Sequence, residues 1–176
     1  MPSARICVFA LCFALITIST APAVFAEPAP RPAESTMTRL RGLSSKANDV
    51  IAQGTKRSAT FRMLVDTISK SDLIVYIETT KKLPAGLDGR LMFLTAAGGV
   101  RYLHVQVMSG LSVEQLIAIT AHELQHAVEV AGHPEVQDAA SLAALYQRIG
   151  IPGTVKDRYD TFDAQSAGKR VRAELS

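Results

Sequence analysis

The sequence predicts an α+β fold in which several helices pack against a small antiparallel sheet. Apolar residues recur at helical spacing on both sides of a central block, residues 73–108. That block contains short runs rich in β-branched and aromatic residues, and a Gly-Gly pair separates two of them. The chain has 176 residues and 48% of them are apolar, which suits one domain with a real core.

The first 26 residues have the pattern of a secretory signal peptide. Arg5 supplies a positive charge, residues 6–18 are apolar, and Ala26 ends a small-residue cleavage site. Both cysteines, Cys7 and Cys12, lie in this segment, so the mature protein would contain none. We predict a secreted or periplasmic protein without stable membrane insertion after cleavage; the alternative is an uncleaved anchor.

The folded domain is predicted over residues 36–176. Residues 27–35 contain three prolines and read as an extended linker, because proline disfavours helix. Two helices are then expected over residues 37–52 and 58–69, where apolar residues recur at helical spacing. Gly54 is interpreted as the break between them.

Three strands are predicted in the central block. They cover residues 73–77, 90–95 and 100–108. Gly98 and Gly99 lie between the last two runs and are typical of a hairpin turn. The expected sheet is therefore antiparallel, with about three strands.

Three helices are predicted after the sheet. Ser112 and Gln115 have the spacing of a capping box at the start of a helix over residues 113–131. Pro134 closes that helix and opens the next one, which ends near Gly150. The last helix follows a Pro-Gly turn and extends almost to the end of the chain.

The strongest functional signal is the motif His122-Glu123-x-x-His126. Residues four apart lie on one helix face, so both imidazoles can reach one Zn²⁺ ion. Glu123 would then take a proton from zinc-bound water. Residues 116–121 are uncharged, which predicts a buried helix whose polar side chains need partners. The alternative is a metal-free surface helix whose histidines bond to neighbouring groups.

The segment Ala-His-Glu-Leu-Gln-His-Ala-Val, residues 121–128, resembles the active-site helix of zincin metallopeptidases, and looks most like their gluzincin branch. From Ser58 onward the chain is also similar to small secreted bacterial proteins that carry this motif. The resemblance implies a sheet whose edge strand binds extended substrate beside the active-site helix. It also implies a zinc metallopeptidase whose third metal ligand is an acid on a later helix.

Asp160 is the preferred third ligand, and Asp163 is the second choice. Both lie in the last predicted helix, residues 155–175, and Asp160 falls on its apolar stripe. Small residues at Ala164 and Ala167 would let this helix approach its neighbour closely. Gluzincins usually have Glu here, so the shorter Asp needs the helices closer together. The alternative for Asp160 is a helix N-cap.

Glu129 shares a helix face with His122 and His126. Three interpretations remain open for it: an alternative ligand, an acceptor that fixes a histidine tautomer, or a plain salt bridge with an arginine. The metzincin pattern is not matched, because Glu129 and Gly132 stand where that pattern has Gly and His. His133 lies one position beyond and is interpreted as a helix cap.

Strand 100–108 is interpreted as the substrate-binding edge strand. Its candidate substrate contacts are Arg101, His104 and Gln106, although ordinary exposed alternation also accounts for them. Three further residues are candidates for stabilising an oxyanion, and the sequence does not choose between them: Tyr102, Arg158 and Tyr159.

These features predict an exported zinc metallopeptidase that acts on a peptide or protein substrate. Nucleic acid is not an expected partner, because the net charge is only +3 and no basic stripe is interleaved with aromatic residues. The second hypothesis is a non-catalytic zinc-binding or interaction module. Such a module would have four protein ligands, with Glu129 or His133 as the fourth.

Overall fold

The computed structural model describes residues 38–151 and 159–176. The predicted signal peptide (1–26) and linker (27–35) lie outside the described residues, as does Arg158. No helix in the described part of the chain is both long and apolar enough to span a bilayer.

The helices and strands follow one another mostly in blocks, in the order β1, α1, α2, β2, β3, β4, α3, α4, α5, which confirms the α+β class. Their bounds are β1 Leu40–Gly42, α1 Ser45–Arg57, α2 Ala59–Ser69, β2 Leu73–Thr80, β3 Gly89–Ala97, β4 Val100–Met108, α3 Val113–Ala131, α4 Ala139–Ile149 and α5 Phe162–Leu175.

The described strands form a mixed sheet with the order β1-β2-β4-β3. β1 pairs with β2, and β2 with β4, in parallel; only β3 and β4 are antiparallel. The predicted three-stranded antiparallel sheet is therefore wrong. Residues 37–52 were predicted as one helix but contain the three-residue strand β1, and β4 lies between β2 and β3, so that it runs parallel to β2. Two helices separate β1 from β2, and such a crossover allows parallel pairing.

The hairpin prediction is confirmed, whereas the edge-strand prediction is wrong. Gly98 (φ 60°) and Gly99 (φ 75°) both have positive φ, as a two-residue hairpin turn requires. The hairpin docks through β4, which pairs with β2 on one side and β3 on the other. β4 is therefore an interior strand, and β3 forms the edge.

The three proposed substrate contacts of β4 are engaged within the fold. Arg101 is only 2% exposed, and its Nε and Nη2 donate to the carboxylate of Asp72 over 2.7 Å each. His104 Nε2 lies 3.1 Å from Glu78 Oε2. Gln106 Oε1 accepts a 2.7 Å hydrogen bond from Arg90 Nε. The interior position of β4 is clearest at Gln106, which also donates to Glu78 on β2 and so has partners on both neighbouring strands.

α3 lies at the centre of the domain and carries much of the core. It packs against α1, α2, α5 and the sheet. Its start is fixed by the predicted capping box, in which Ser112 and Gln115 bond reciprocally, and it ends before Gly132 as predicted. Each large apolar side chain buried on this helix contributes about 1.5–3 kcal/mol. The fully or almost fully buried ones are Leu116, Ile117, Leu124 and Val130.

Two helix boundaries that were predicted at a glycine and a proline differ in the structure. Gly54 lies inside α1, not at a break, and an added Cβ there would lie 2.7 Å from Cδ2 of Phe61. Its role is the close packing of α1 on the Phe61 ring. α4 begins after its N-cap Asp138, not at Pro134.

Candidate metal centre

Two histidines of α3 meet one aspartate from the segment before α5. Asp160 Oδ1 lies 3.3 Å from His122 Nε2 and 3.8 Å from His126 Nε2. The three donor atoms all lie within 4.8 Å of one another. The structure thus brings together the three residues that the sequence singled out as metal ligands.

The distances of Asp160 Oδ1 from the two imidazole nitrogens fit ligands of one tetrahedral zinc ion. With zinc–ligand distances of about 2.0–2.1 Å, two ligands of a tetrahedron lie about 3.4 Å apart. The distances from Asp160 Oδ1 to the two imidazoles bracket that value, at 3.3 and 3.8 Å. Two imidazole nitrogens and one carboxylate oxygen are also a donor set that zinc accepts, with one position left for water.

Asp160 reaches the histidines from outside the helix on which it was predicted. α5 begins at Phe162 and its N-cap is Thr161, whose Oγ1 accepts from Ala164 N over 3.1 Å. The predicted helical stripe through Asp160 and the alternative N-cap role are therefore both wrong. The prediction was wrong because the helical spacing of apolar residues in α5 extends to residues before the N-cap, where the backbone is extended.

Backbone and side-chain bonds fix the orientation of Asp160. Its carbonyl accepts from Ile151 N over 2.7 Å, which joins it to the end of α4. Asp160 Oδ1 accepts from Thr161 N at 2.7 Å, and Oδ2 from Gln165 Nε2 at 2.9 Å. A carboxylate oxygen has two lone pairs, so Oδ1 can still bind a metal.

Glu129 binds the ring nitrogen of His126 that does not face Asp160. His126 Nδ1 donates to Glu129 Oε2 over 2.8 Å, because a carboxylate can only accept. Thr161 Oγ1 donates to Glu129 Oε1 over 2.5 Å. This arrangement supports the tautomer-fixing interpretation, since it leaves the Nε2 lone pair of His126 free towards Asp160. Neither the salt bridge with an arginine nor direct grouping with the ligands is seen among the described residues.

Two alternative ligands lie elsewhere. Asp163 is exposed in the first turn of α5 and does not belong to the group of donors. His133 Nδ1 lies 3.0 Å from Glu135 Oε1, just beyond the end of α3. The described residues therefore offer three ligands to one ion, not four.

Glu123 is buried beside the two histidines. Its side chain lies against the start of β3, where an added Cβ on Gly89 would lie 2.6 Å from Glu123 Oε1. Burial raises the pKa of Glu123 to about 7; nearby Asp160 and Glu129 add to that shift, and His126 opposes it. The carboxyl group is thus a buried part of the cleft wall, packed closely against Gly89.

The two imidazoles differ in their electrostatic surroundings. Burial lowers the pKa of His122, and the neighbouring His126 lowers it further. For His126 burial also acts to lower the pKa, but the hydrogen bond with Glu129 and the nearby carboxylates raise it overall. A metal ion binds an imidazole only through a nitrogen that carries no hydrogen, so both imidazoles must be neutral. Because Glu129 accepts from Nδ1, it keeps the hydrogen of neutral His126 on that nitrogen and leaves Nε2 for the metal.

A cleft of about 380 Å³ opens beside His122 and Glu123. Its walls are residues 86–89 before and at the start of β3, one face of α3, and one face of α5. α5 comes close because Gly168 has no side chain: an added Cβ would lie 3.3 Å from Ala118 O and 3.4 Å from His122 Cβ. The packing roles of Gly89 and Gly168 were not predicted from the sequence, because the close approach of two segments far apart in the chain leaves no local sequence pattern.

The oxyanion candidates fall on different parts of the molecule. The helices pack on the β4 face that carries Leu103 and Val105, so Tyr102 lies on the opposite face, away from α3. Tyr159 precedes Asp160, stacks on Tyr146 at 6.5 Å between ring centroids, and accepts from Gln147 Nε2 over 3.2 Å. Tyr102 is therefore excluded, and Tyr159 stays near the site.

Tyr146 supports the site without having been identified from the sequence. Its hydroxyl donates to the backbone oxygen of His126 over 3.1 Å, and its ring meets the His126 ring edge-on at 5.1 Å. The helical spacing of α4 indicates that Tyr146 is buried, but not which helix it contacts.

Comparisons with models of protein families, with curated proteins and with solved structures found no match.

Proposed function

We propose that the protein is a zinc-dependent hydrolase that cleaves peptide bonds. The observation that carries the proposal is the convergence of His122, His126 and Asp160 within 4.8 Å, beside a buried glutamate and an open cleft. When bound, zinc supplies Lewis acidity, which polarises a carbonyl and lowers the pKa of water. Among metals, zinc suits two imidazoles and one carboxylate in a tetrahedral arrangement.

Glu123 is the proposed general base. It lines the cleft next to His122, and its carboxylate is held by the packing of Gly89. It accepts a proton from the attacking water and later donates it to the leaving amine. Glu129 and Gln165 are positioning residues in this scheme: Glu129 orients His126, and Gln165 orients Asp160.

The edge strand β3 supports a peptide as the substrate class. The strand begins at Gly89, against Glu123, and its outer side carries no strand partner among the described residues. An extended peptide that adds to such an edge by main-chain hydrogen bonds is placed with its carbonyls near the base. The zincin resemblance implies this combination of helix and edge strand. The proposal therefore includes membership of the zincins, in a gluzincin-like form that has Asp160 as its third ligand. Export to the periplasm or medium is also part of it.

Zinc analysis with matched variants tests the site. Elemental analysis of the purified protein should give about one zinc per chain, lost in His122→Ala and Asp160→Ala. Asp163→Ala is the matched control, because Asp163 is an exposed acid of the same segment. It should keep the metal. A wild type without zinc even after reconstitution would refute the metal centre.

A second experiment tests the reaction. The zinc-loaded protein should hydrolyse a quenched fluorescent casein, and Glu123→Gln should lose that activity by at least about 100-fold while keeping its zinc. Activity that survives in Glu123→Gln would remove Glu123 as the base. Zinc binding without hydrolysis of any peptide would support the non-catalytic module instead.

A further inference from the structure

The α5 wall of the cleft is cationic. Lys169 and Arg172 both line the cleft and are exposed. Within residues 38–151 and 159–176, neither side chain takes part in a salt bridge or a hydrogen bond given by the structure. The opposite wall carries one acid, Asp88. Two cations without partners beside a proposed active site form a site for an anionic group.

The distance of these cations from the metal site follows from the helix. Gln165, which binds Asp160, and Gly168, which packs on His122, mark the level of the site along α5. With a rise of about 1.5 Å per residue, Lys169 lies about 2 to 6 Å and Arg172 about 6 to 10 Å beyond these two residues. An extended peptide advances about 3.3 Å per residue, so those distances correspond to about one to three residues.

We propose that Lys169 and Arg172 are specificity-determining residues that select peptides with a carboxylate within about three residues of the scissile bond. This inference rests on the proposed peptidase function and names its substrate class. Arg172 offers the planar fork of donors that matches a carboxylate, and Lys169 adds a point charge one turn away. Ile119 and Leu87 supply apolar surface in the same cleft for the rest of the substrate.

The carboxylate can belong to an acidic side chain or to the C-terminus of the substrate. Quenched peptides with Glu or Gln scanned over the three residues on each side of the scissile bond distinguish the first source. The same peptides with free or amidated C-termini distinguish the second. We expect kcat/KM to be about ten-fold higher for the carboxylate form at one position, and that preference to shrink as salt rises.

Variants test whether α5 is responsible. In K169Q/R172Q the ratio of kcat/KM for the Glu and Gln peptides should fall to about one. Arg170→Gln is the matched control, because Arg170 is exposed on α5 but does not line the cleft. It should keep the preference. A wild type that treats carboxylate and neutral forms alike, or a double variant that keeps the preference, would overturn the proposal.

A binding measurement separates this inference from the reaction itself. Fluorescence anisotropy of labelled Glu and Gln peptides with the zinc-loaded Glu123→Gln variant needs no turnover. If wild type fails to cleave any peptide but binding still favours Glu through Lys169 and Arg172, the peptidase proposal fails and the anionic site stands. If cleavage occurs and neither binding nor cleavage distinguishes Glu from Gln, the anionic site is refuted and the peptidase stands.

Discussion

Glu129 binds His126 through a 2.8 Å hydrogen bond at Nδ1, on the side of the ring that faces away from Asp160. The other oxygen of Glu129 accepts from Thr161, the residue directly after Asp160. One carboxylate therefore positions a ligand of α3 and the segment that supplies the third ligand. Because the pair is buried, its loss would leave both imidazole orientation and tautomer less defined.

Replacing Glu129 by Gln should weaken zinc binding about 10- to 100-fold, because the amide no longer fixes the Nδ1 hydrogen with a charge-assisted bond. Competition with a chromophoric chelator measures the zinc Kd. Glu135→Gln is the matched control, since Glu135 contacts Nδ1 of another histidine, His133, at 3.0 Å. A Kd for Glu129→Gln equal to that of the control would contradict the assigned role.

Gly89→Ala should reduce kcat/KM at least about ten-fold while zinc stays bound, since misplacing a catalytic group slightly is costly. The added Cβ would lie 2.6 Å from Glu123 Oε1 and 2.7 Å from Ile119 Cγ2, so Glu123 must shift. Gly110→Ala is the control, because an added Cβ there meets nothing within 4 Å. Full activity of Gly89→Ala would show that the position of Glu123 is not critical.

Asp72→Asn should lower the free energy of unfolding by about 1 kcal/mol near pH 7, because buried Arg101 loses its charged partner, while the 39% exposure of the Asp72 side chain lets water weaken the pair. Hydrogen bonding to Arg101 holds the pKa of Asp72 below its ordinary value, although burial opposes the shift. The stabilisation is therefore complete above the ordinary pKa of about 3.9 and is lost as pH falls through the lower folded value.

Urea denaturation at several pH values, with chelator present, measures the free energy of unfolding of wild type and of Asp72→Asn. The difference in free energy of unfolding between wild type and Asp72→Asn should stay constant from pH 7 to 5 and narrow below pH 4, because the Asp72 carboxylate is then protonated and becomes neutral like the amide. Asp66→Asn, at an exposed acid of α2, should change the free energy of unfolding by less than about 0.5 kcal/mol. A gap that persists at low pH would mean that the ion pair is not its origin.

Gly54→Ala should destabilise the protein by about 1 kcal/mol. In a helix interior, alanine is more stable than glycine by about 1 kcal/mol, but forcing a Cβ against the buried Phe61 ring costs about 1–3 kcal/mol. The control is Gly132→Ala, where the nearest atom outside the adjacent residues is Glu129 O at 3.5 Å. Thermal melts of both variants give the comparison; a higher Tm for Gly54→Ala would show that the Phe61 ring can move aside.

The sequence predicted those features whose causes are local. The start of α3 was predictable from the pair Ser112 and Gln115, and the hairpin from Gly98 and Gly99, because caps and turns depend on neighbouring residues. The pairing of His122 with His126 follows from helix geometry in the same way. The first and third of these features place the two histidines on one face of α3, and the second places β3 beside β4.

Features that depend on distant segments were predicted poorly. Three-residue β1 is too short for a periodic pattern, and strand order is set by which strands meet in space, so the parallel pairs and the edge β3 were missed. Asp160 was identified as a ligand, but its place before the Thr161 cap was not, since the apolar spacing gives no sharp boundary.

The β-bulge of the hairpin limits how far another chain can follow the edge of the sheet. The register of β3 on β4 shifts between Phe93 and Thr95, so the regular ladder at the site end covers only Gly89 to Phe93. Five residues of strand span about 17 Å. A short peptide fits that length, but a second copy of the sheet cannot continue along it, because the bulge bends the strand away. The same irregularity thus permits docking at one end and opposes edge-to-edge aggregation along the rest.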